Sequence, residues 1–484
     1  MKTASSYPVP GGFFRWSLGM VILLVAQAVH AQNPGQPPRS GYRFSNTATE
    51  PVFRSREDSV QHTRVNEMIR QEMQRPKVRK ILVDSLSREL DRIMREGIVG
   101  SRTVYFGSAD FVRFHDLGQH RPDTIRRLTL DHYTGSRLPK EIFQCTQLEE
   151  LEILNTQLWS LQSLRRLPAL KRIIILNNRS PRPLRLSRSK TVEVVTARTS
   201  HPESLPRHYG ALRQLQRLDL SRCELKKFPR LDRPKALREV VLVFNQLTLE
   251  EPPAKFSDKV ERINLQYNRI ESVPAWISKF RGLRKLDFNN NQISQVDPAL
   301  GTLRLESIGF YRNKLKQVPA ALFAMDSLKE VDLYYNDIET LPDDISQWRR
   351  LQRLYLSYNK LYKIPEALGT LTSLRELYLH DNRLFQLPES LSKLDRLVVL
   401  RINNNLFSDF PASIPALTAL ENLDVSRNQL ETVPEALYSL RHLKILSLVA
   451  NKWDEPTRGR LAGWADQLRM RQVVVHLNSF DESE

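Results

Sequence analysis

The stretch 351–373, LQRLYLSYNKLYKIPEALGTLTS, sets the pattern for most of the chain. Leu351, Leu354 and Leu356 are followed by Asn359, Leu361 and Ile364-Pro365, and the next stretch repeats this as Leu374, Leu377, Leu379, Asn382, Leu384 and Leu387-Pro388. The first apolar residue of each unit falls at Ile125, Leu148, Leu170, Val192, Leu215, Leu237, Val260, Leu283, Leu305, Leu328, Leu351, Leu374, Leu397, Leu420 and Leu443, always 22 or 23 residues apart. A fixed period of this length means one supersecondary unit per repeat, with neighbours stacking to bury a continuous core. A chain of 484 residues can then remain one elongated body instead of dividing into several globular domains.

Two further columns support this. Asparagine recurs at Asn178, Asn245, Asn268, Asn291, Asn313, Asn336, Asn359, Asn382, Asn405, Asn428 and Asn451, with Thr156, Ser200 and Cys223 in its place elsewhere. A buried amide there donates to and accepts from the backbone groups that a sharp turn leaves without partners. Proline recurs after the last core residue, from Pro139 to Pro434, where no ladder N–H is needed. The expected fold is an α/β solenoid of about fifteen repeats, a horseshoe with a parallel concave sheet and short convex helical segments.

The unit L-x-x-L-x-L-x-x-N-x-L-x-x-L-P resembles the 23-residue class of leucine-rich repeats over residues 125–477. That class includes Ras-group intracellular repeat proteins and many bacterial repeat proteins. The resemblance implies protein recognition on a horseshoe. An export signal separates this chain from the intracellular members and implies an exported, bacterial-type one.

The signal reading rests on residues 1–31. Lys2 and Arg15 precede an apolar run from Trp16 to Val29, which ends in Val29-His30-Ala31. This reads as a secretory signal peptide cleaved near Ala31, giving a periplasmic or secreted protein, with a retained anchor as the alternative. Residues 32–56 read as a flexible linker, and 57–124 as a helical segment and N-terminal cap. Within the cap, apolar faces run through Val65–Met73 and Val78–Met94, and 103–115 suits an edge strand or hairpin. Repeats are expected over 125–456. A C-terminal cap and tail over 457–484 should hold a helix at 457–469 and a last strand at Val473–Leu477. No later segment is apolar enough to span a membrane. The two cysteines, Cys145 and Cys223, lie four repeats apart, too far for a disulfide, and both read as structural.

The leucines point inward, so offsets +2, +4, +6 and +7 from each unit start point to the concave side. There the aromatic residues Phe244, Tyr267, Tyr311, Tyr334, Tyr335, Tyr355, Tyr358 and Tyr378 come only from units six to twelve, with His380 beside them. Glu330, Asp332, Glu376, Asp381, Arg312, Arg353 and Arg401 surround them. Tyrosine, arginine and carboxylates on a rigid sheet suit a protein or peptide ligand, although tyrosine is also a good strand residue in its own right.

The same offsets carry eleven basic and eleven acidic residues, so the formal charge of +19 must reside elsewhere, which argues against nucleic acid in the concavity. Part of the surplus is a basic flank, Arg179, Arg182, Arg185, Arg188 and Lys190, in a stretch (165–190) without an acidic residue. That flank could contact an anionic envelope polymer or lipid surface, or simply be a solvated edge. No phosphate-binding, zinc-protease or nucleophile-elbow motif is present, and the ten histidines lack metal-ligand spacing. The sequence therefore reads as a non-enzymatic binding scaffold with no cofactor, the alternative being an envelope-associated structural protein that uses the basic flank.

Overall fold

The computed structural model describes residues 111–206, 209–229, 231 and 235–477. The readings of a signal peptide, linker and paired helices over 1–97 lie outside the described residues.

Among the described residues, seventeen parallel strands form one large sheet. Fifteen of them begin two residues after the unit starts named above. The first four, Arg127–Asp131, Glu150–Leu154, Arg172–Leu176 and Val194–Arg198, have five residues, and the later ones, from Arg217–Asp219 to Ile445–Ser447, have three. An edge strand, Val112–Arg113, precedes them, pairing in parallel with Leu128–Thr129. Each three-residue strand sets its central side chain into the core and its flanking two on the concave side, and each five-residue strand sends its second and fourth side chains into the core. Leu354, Leu377 and Leu400, for example, are fully buried in register. Burying each such leucine stabilises the array by about 1.5–3 kcal/mol.

The asparagine column closes the turn. Asn359 Nδ2 donates to the Leu333 and Leu356 carbonyls at 2.9 Å each, and its Oδ1 accepts from the Ile338 N–H at 3.0 Å. The arrangement recurs at Asn268, Asn291, Asn336, Asn382 and Asn405. Cys223, in the same column, turns its thiol to the Ala197 carbonyl at 3.1 Å, and burial pushes that thiol up to about 12. Both cysteines are free and buried.

One column escaped the sequence reading. The residue just before the ladder position is left-handed in all fifteen units, with φ between 49° (His132) and 59° (Arg222). Asn155, Asn177, Asn290, Asp381 and Asn404 are residue types that tolerate this region. Phe244, Tyr267, Tyr335 and Tyr358 are bulky residues that rarely enter it.

On the convex side the helical segments are 3-10 turns, many opened by proline, as at Pro342, Pro365 and Pro388. The C-terminal helix runs Glu455–Met470, two residues longer at its start than the sequence suggests, because the Asp454 side chain caps it by accepting from the Thr457 N–H at 2.7 Å. It buries Leu461, Ala465 and Leu468 over the last layer, and the strand Val474–His476 closes the sheet. No helix among the described residues is long and apolar enough to cross a membrane.

Candidate functional site on the concave face

In-register parallel strands bring one column of side chains to about 4.8 Å spacing. Tyr355 lies opposite Tyr378 in that register, and their rings stack with centroids 4.8 Å apart. At the left-handed position Tyr335 and Tyr358 stack at 4.2 Å. Tyr334 touches both neighbours and links the column to Tyr311 at 5.5 Å and to His380 at 5.6 Å. His380 in turn meets Tyr378 at 6.4 Å. Six tyrosines and one histidine thus form a continuous array over four adjacent repeats. Phe244 and Tyr267 stack at 4.2 Å nearer the N-terminus, with the Arg222 guanidinium over the Phe244 ring.

The array is not the freely protruding patch that strand alternation alone suggests. Its rings cover one another, and every member is half-buried. Arginines edge it, with Arg312 over Tyr335 and Arg401 over Tyr378. Arg353 is tied to Glu330 on the next strand, and Tyr378 donates its hydroxyl to Glu376 at 3.0 Å. Asp381 accepts from Asn404. Some carboxylates counted as displayed are buried instead. Glu152 is held by Thr129, and Asp219 is only 1% exposed and paired with Arg198 at 2.5 Å. Three polar side-chain atoms in and beside the array, Tyr311 Oη, Arg401 Nε and Asn403 Oδ1, are buried without a partner among the described residues.

Beneath the rings, His380 Nδ1 sits 2.7 Å from Ser357 Oγ, and Nε2 lies 3.4 Å from the Tyr334 hydroxyl. Desolvation, helped by Arg401, pushes the imidazole down to about 3, so it stays neutral at physiological pH. Ser357 is fully buried. The pair is therefore a prop for Tyr334; its hydroxyl is not an activated, accessible nucleophile. Among the described residues no group of His, Cys, Asp and Glu converges as metal ligands would. The basic flank residues Arg179, Arg182, Arg185, Arg188 and Lys190 are all exposed and lie off this sheet's face.

Asp287 and Asp332 flank Gly309 across the sheet. Desolvation pushes Asp287 up to about 6 and Asp332 up to about 7, although each accepts a backbone N–H. A carboxyl raised in the folded state contributes its stability below the unfolded value, and this is lost as pH rises through the folded value. The protein should therefore lose stability between about pH 4 and pH 7 through these two groups. Asp332→Asn keeps the acceptor for Tyr334 and should be more stable than the parent at pH 8 by roughly 1–3 kcal/mol, with a flatter profile. Urea denaturation at pH 5 and pH 8 checks this, and an unchanged profile would refute it.

The family described as a leucine-rich repeat region matches residues 259–402 and 355–482. A flightless-1 homologue from Caenorhabditis elegans is 26% identical over 261 residues, 52% of this chain and 19% of that protein. An adenylate cyclase from Schizosaccharomyces pombe is 30% identical over 95 residues, 19% of this chain and 6% of that protein. The chain thus spans less than a fifth of the length of either relative. A solved leucine-rich repeat protein from Leptospira interrogans superposes with a TM-score of 0.58 at 21% identity, covering 75% of this chain and 99% of that one, which is a likeness of fold. Period, asparagine column, parallel sheet and family match agree: this chain is a leucine-rich repeat protein, built as a solenoid.

Proposed function

We propose that the chain is a non-enzymatic scaffold that binds a protein or peptide on the concave array Tyr311–His380, in the periplasm or outside the cell, where the leader in its sequence would direct it. The observation that carries this reading is the ring array itself. Six tyrosines contact one another across four repeats, two of them at a left-handed backbone position that disfavours bulky side chains. Tyrosine offers large, rigid contact area and a polar tip at low entropy cost, which suits it to the centre of an interface. The orphaned atoms of Tyr311, Arg401 and Asn403 support the same reading, since a ligand that reached them would satisfy donors and acceptors the fold leaves over.

A photo-crosslinking amino acid in place of Tyr355 should trap a discrete partner when the protein meets envelope extract. The same residue in place of Tyr362, which is 48% exposed but off the concave offsets, should trap none. Equal adducts from both positions, or from neither, would count against the concave site.

A further inference from the structure

Outside the large sheet, the first three repeats carry a second short ladder. Arg137 bridges to Ser160, and Ser160 pairs with Arg185, both in parallel. The Trp159 N–H donates to the Ser136 carbonyl at 3.1 Å, and the Arg185 N–H donates to the Trp159 carbonyl at 2.8 Å. Arg137 and Arg185 therefore project from rungs about 10 Å apart, with the Trp159 rung between them. The guanidinium carbons of Arg137, Arg182 and Arg185 lie 5.3, 5.9 and 5.6 Å from the centroid of the half-buried Trp159 ring. All three arginines are exposed.

Their charge balance differs from that of the concave face. There Arg172, Arg198, Arg217 and Arg353 each meet a carboxylate on a neighbouring strand. Among the described residues, Arg137, Arg182 and Arg185 meet none. Three like charges around one ring repel each other, and the attraction of the indole face offsets only part of this. Guanidinium groups so gathered match the oxygens of a phosphate or sulfate ester, which they can bind through paired, charge-assisted hydrogen bonds.

We propose that Arg137, Arg182 and Arg185, gathered on Trp159, bind the sulfate or phosphate ester groups of a soluble anionic glycan. A span of two rungs suits charges repeated along a polymer better than one small ion. Arg179, Arg188 and Lys190, exposed nearby in sequence, extend the basic surface. A lipid surface fits less well, because the exposed large apolar side chains among the described residues, beginning at Tyr362, all belong to the C-terminal half of the solenoid. The site is separate from the concave array and stands or falls independently of it.

Calorimetric titration of the full chain with a heparin octasaccharide, at low and at physiological salt, tests the proposal. Arg182→Gln with Arg185→Gln should weaken binding about tenfold or more. Arg349→Gln with Arg350→Gln removes the same charge from another exposed position and should change it by less than about twofold. Inorganic sulfate should compete weakly, and phosphatidylglycerol vesicles should not retain the protein. No binding by the parent chain, an equal loss in the two double variants, or vesicle retention that depends on Arg182 and Arg185 would each overturn the proposal.

Discussion

Replacing Asn359 by alanine should lower the stability of the solenoid by about 3–5 kcal/mol. The side chain is buried and bonds two repeats at once, donating to Leu333 and Leu356 and accepting from Ile338. Alanine has neither group, so buried carbonyls and an N–H lose their partners without gaining water. Each orphaned group costs about 1–3 kcal/mol, and because the groups are neighbours the sum is not additive.

The position also determines how the molecule unfolds. Units of a solenoid contact only their neighbours, so a lesion at this rung weakens the coupling between the repeats on either side. Denaturation followed by circular dichroism should change from one transition towards two. Thr156 and Ser200 occupy the column nearer the N-terminal edge, where Thr156 donates to Asn178 at 3.2 Å, so shorter side chains are workable there. A loss below about 1 kcal/mol at Asn359 would mean that the column is not what closes the turn.

The fold was legible because a solenoid repeats its own evidence. Leu354, Leu377 and Leu400 mark the same inward column in unit after unit, and the asparagines mark the turn. The left-handed position was also written in the chain, through Asn155, Asn177, Asn290 and Asn404, but tyrosines at the same place in other units masked it. How deeply the concave side chains are covered was not legible. Alternation tells which side a residue faces, whereas its exposure depends on what its neighbours on adjacent strands put beside it. Tyr334 is half-buried because Tyr311, Tyr335, Tyr358 and His380 surround it. Asp219 is buried because Arg198, one strand away, folds over it. The Trp159 cluster was hidden by irregular spacing. Arg137 lies twelve residues after Ile125, but Arg185 lies fifteen after Leu170, so alignment of the units does not place them in one row. The structure does, through the second ladder.

The central claim is that the concave rings serve recognition and that the fold does not need them. Tyr335 and Tyr358 allow the two roles to be separated. Both are left-handed, at φ 56° and 53°, where Asn177, Asn290 and Asn404 stand in other repeats. Exchanging both for asparagine removes a stacked pair, worth about 0.5–1.5 kcal/mol. It also relieves a backbone penalty of about 1–2 kcal/mol per residue. The double variant should therefore stay within about 2 kcal/mol of the parent in chemical denaturation. Its affinity for the partner crosslinked at position 355 should fall about a hundredfold, as for the loss of central aromatic anchors. The most direct measurement is that affinity and that stability, taken on the same preparation of Tyr335→Asn with Tyr358→Asn. The account predicts lost binding on an intact solenoid. Binding retained within about threefold, or stability lost by more than about 4 kcal/mol, would contradict it by making the rings bystanders or structural supports.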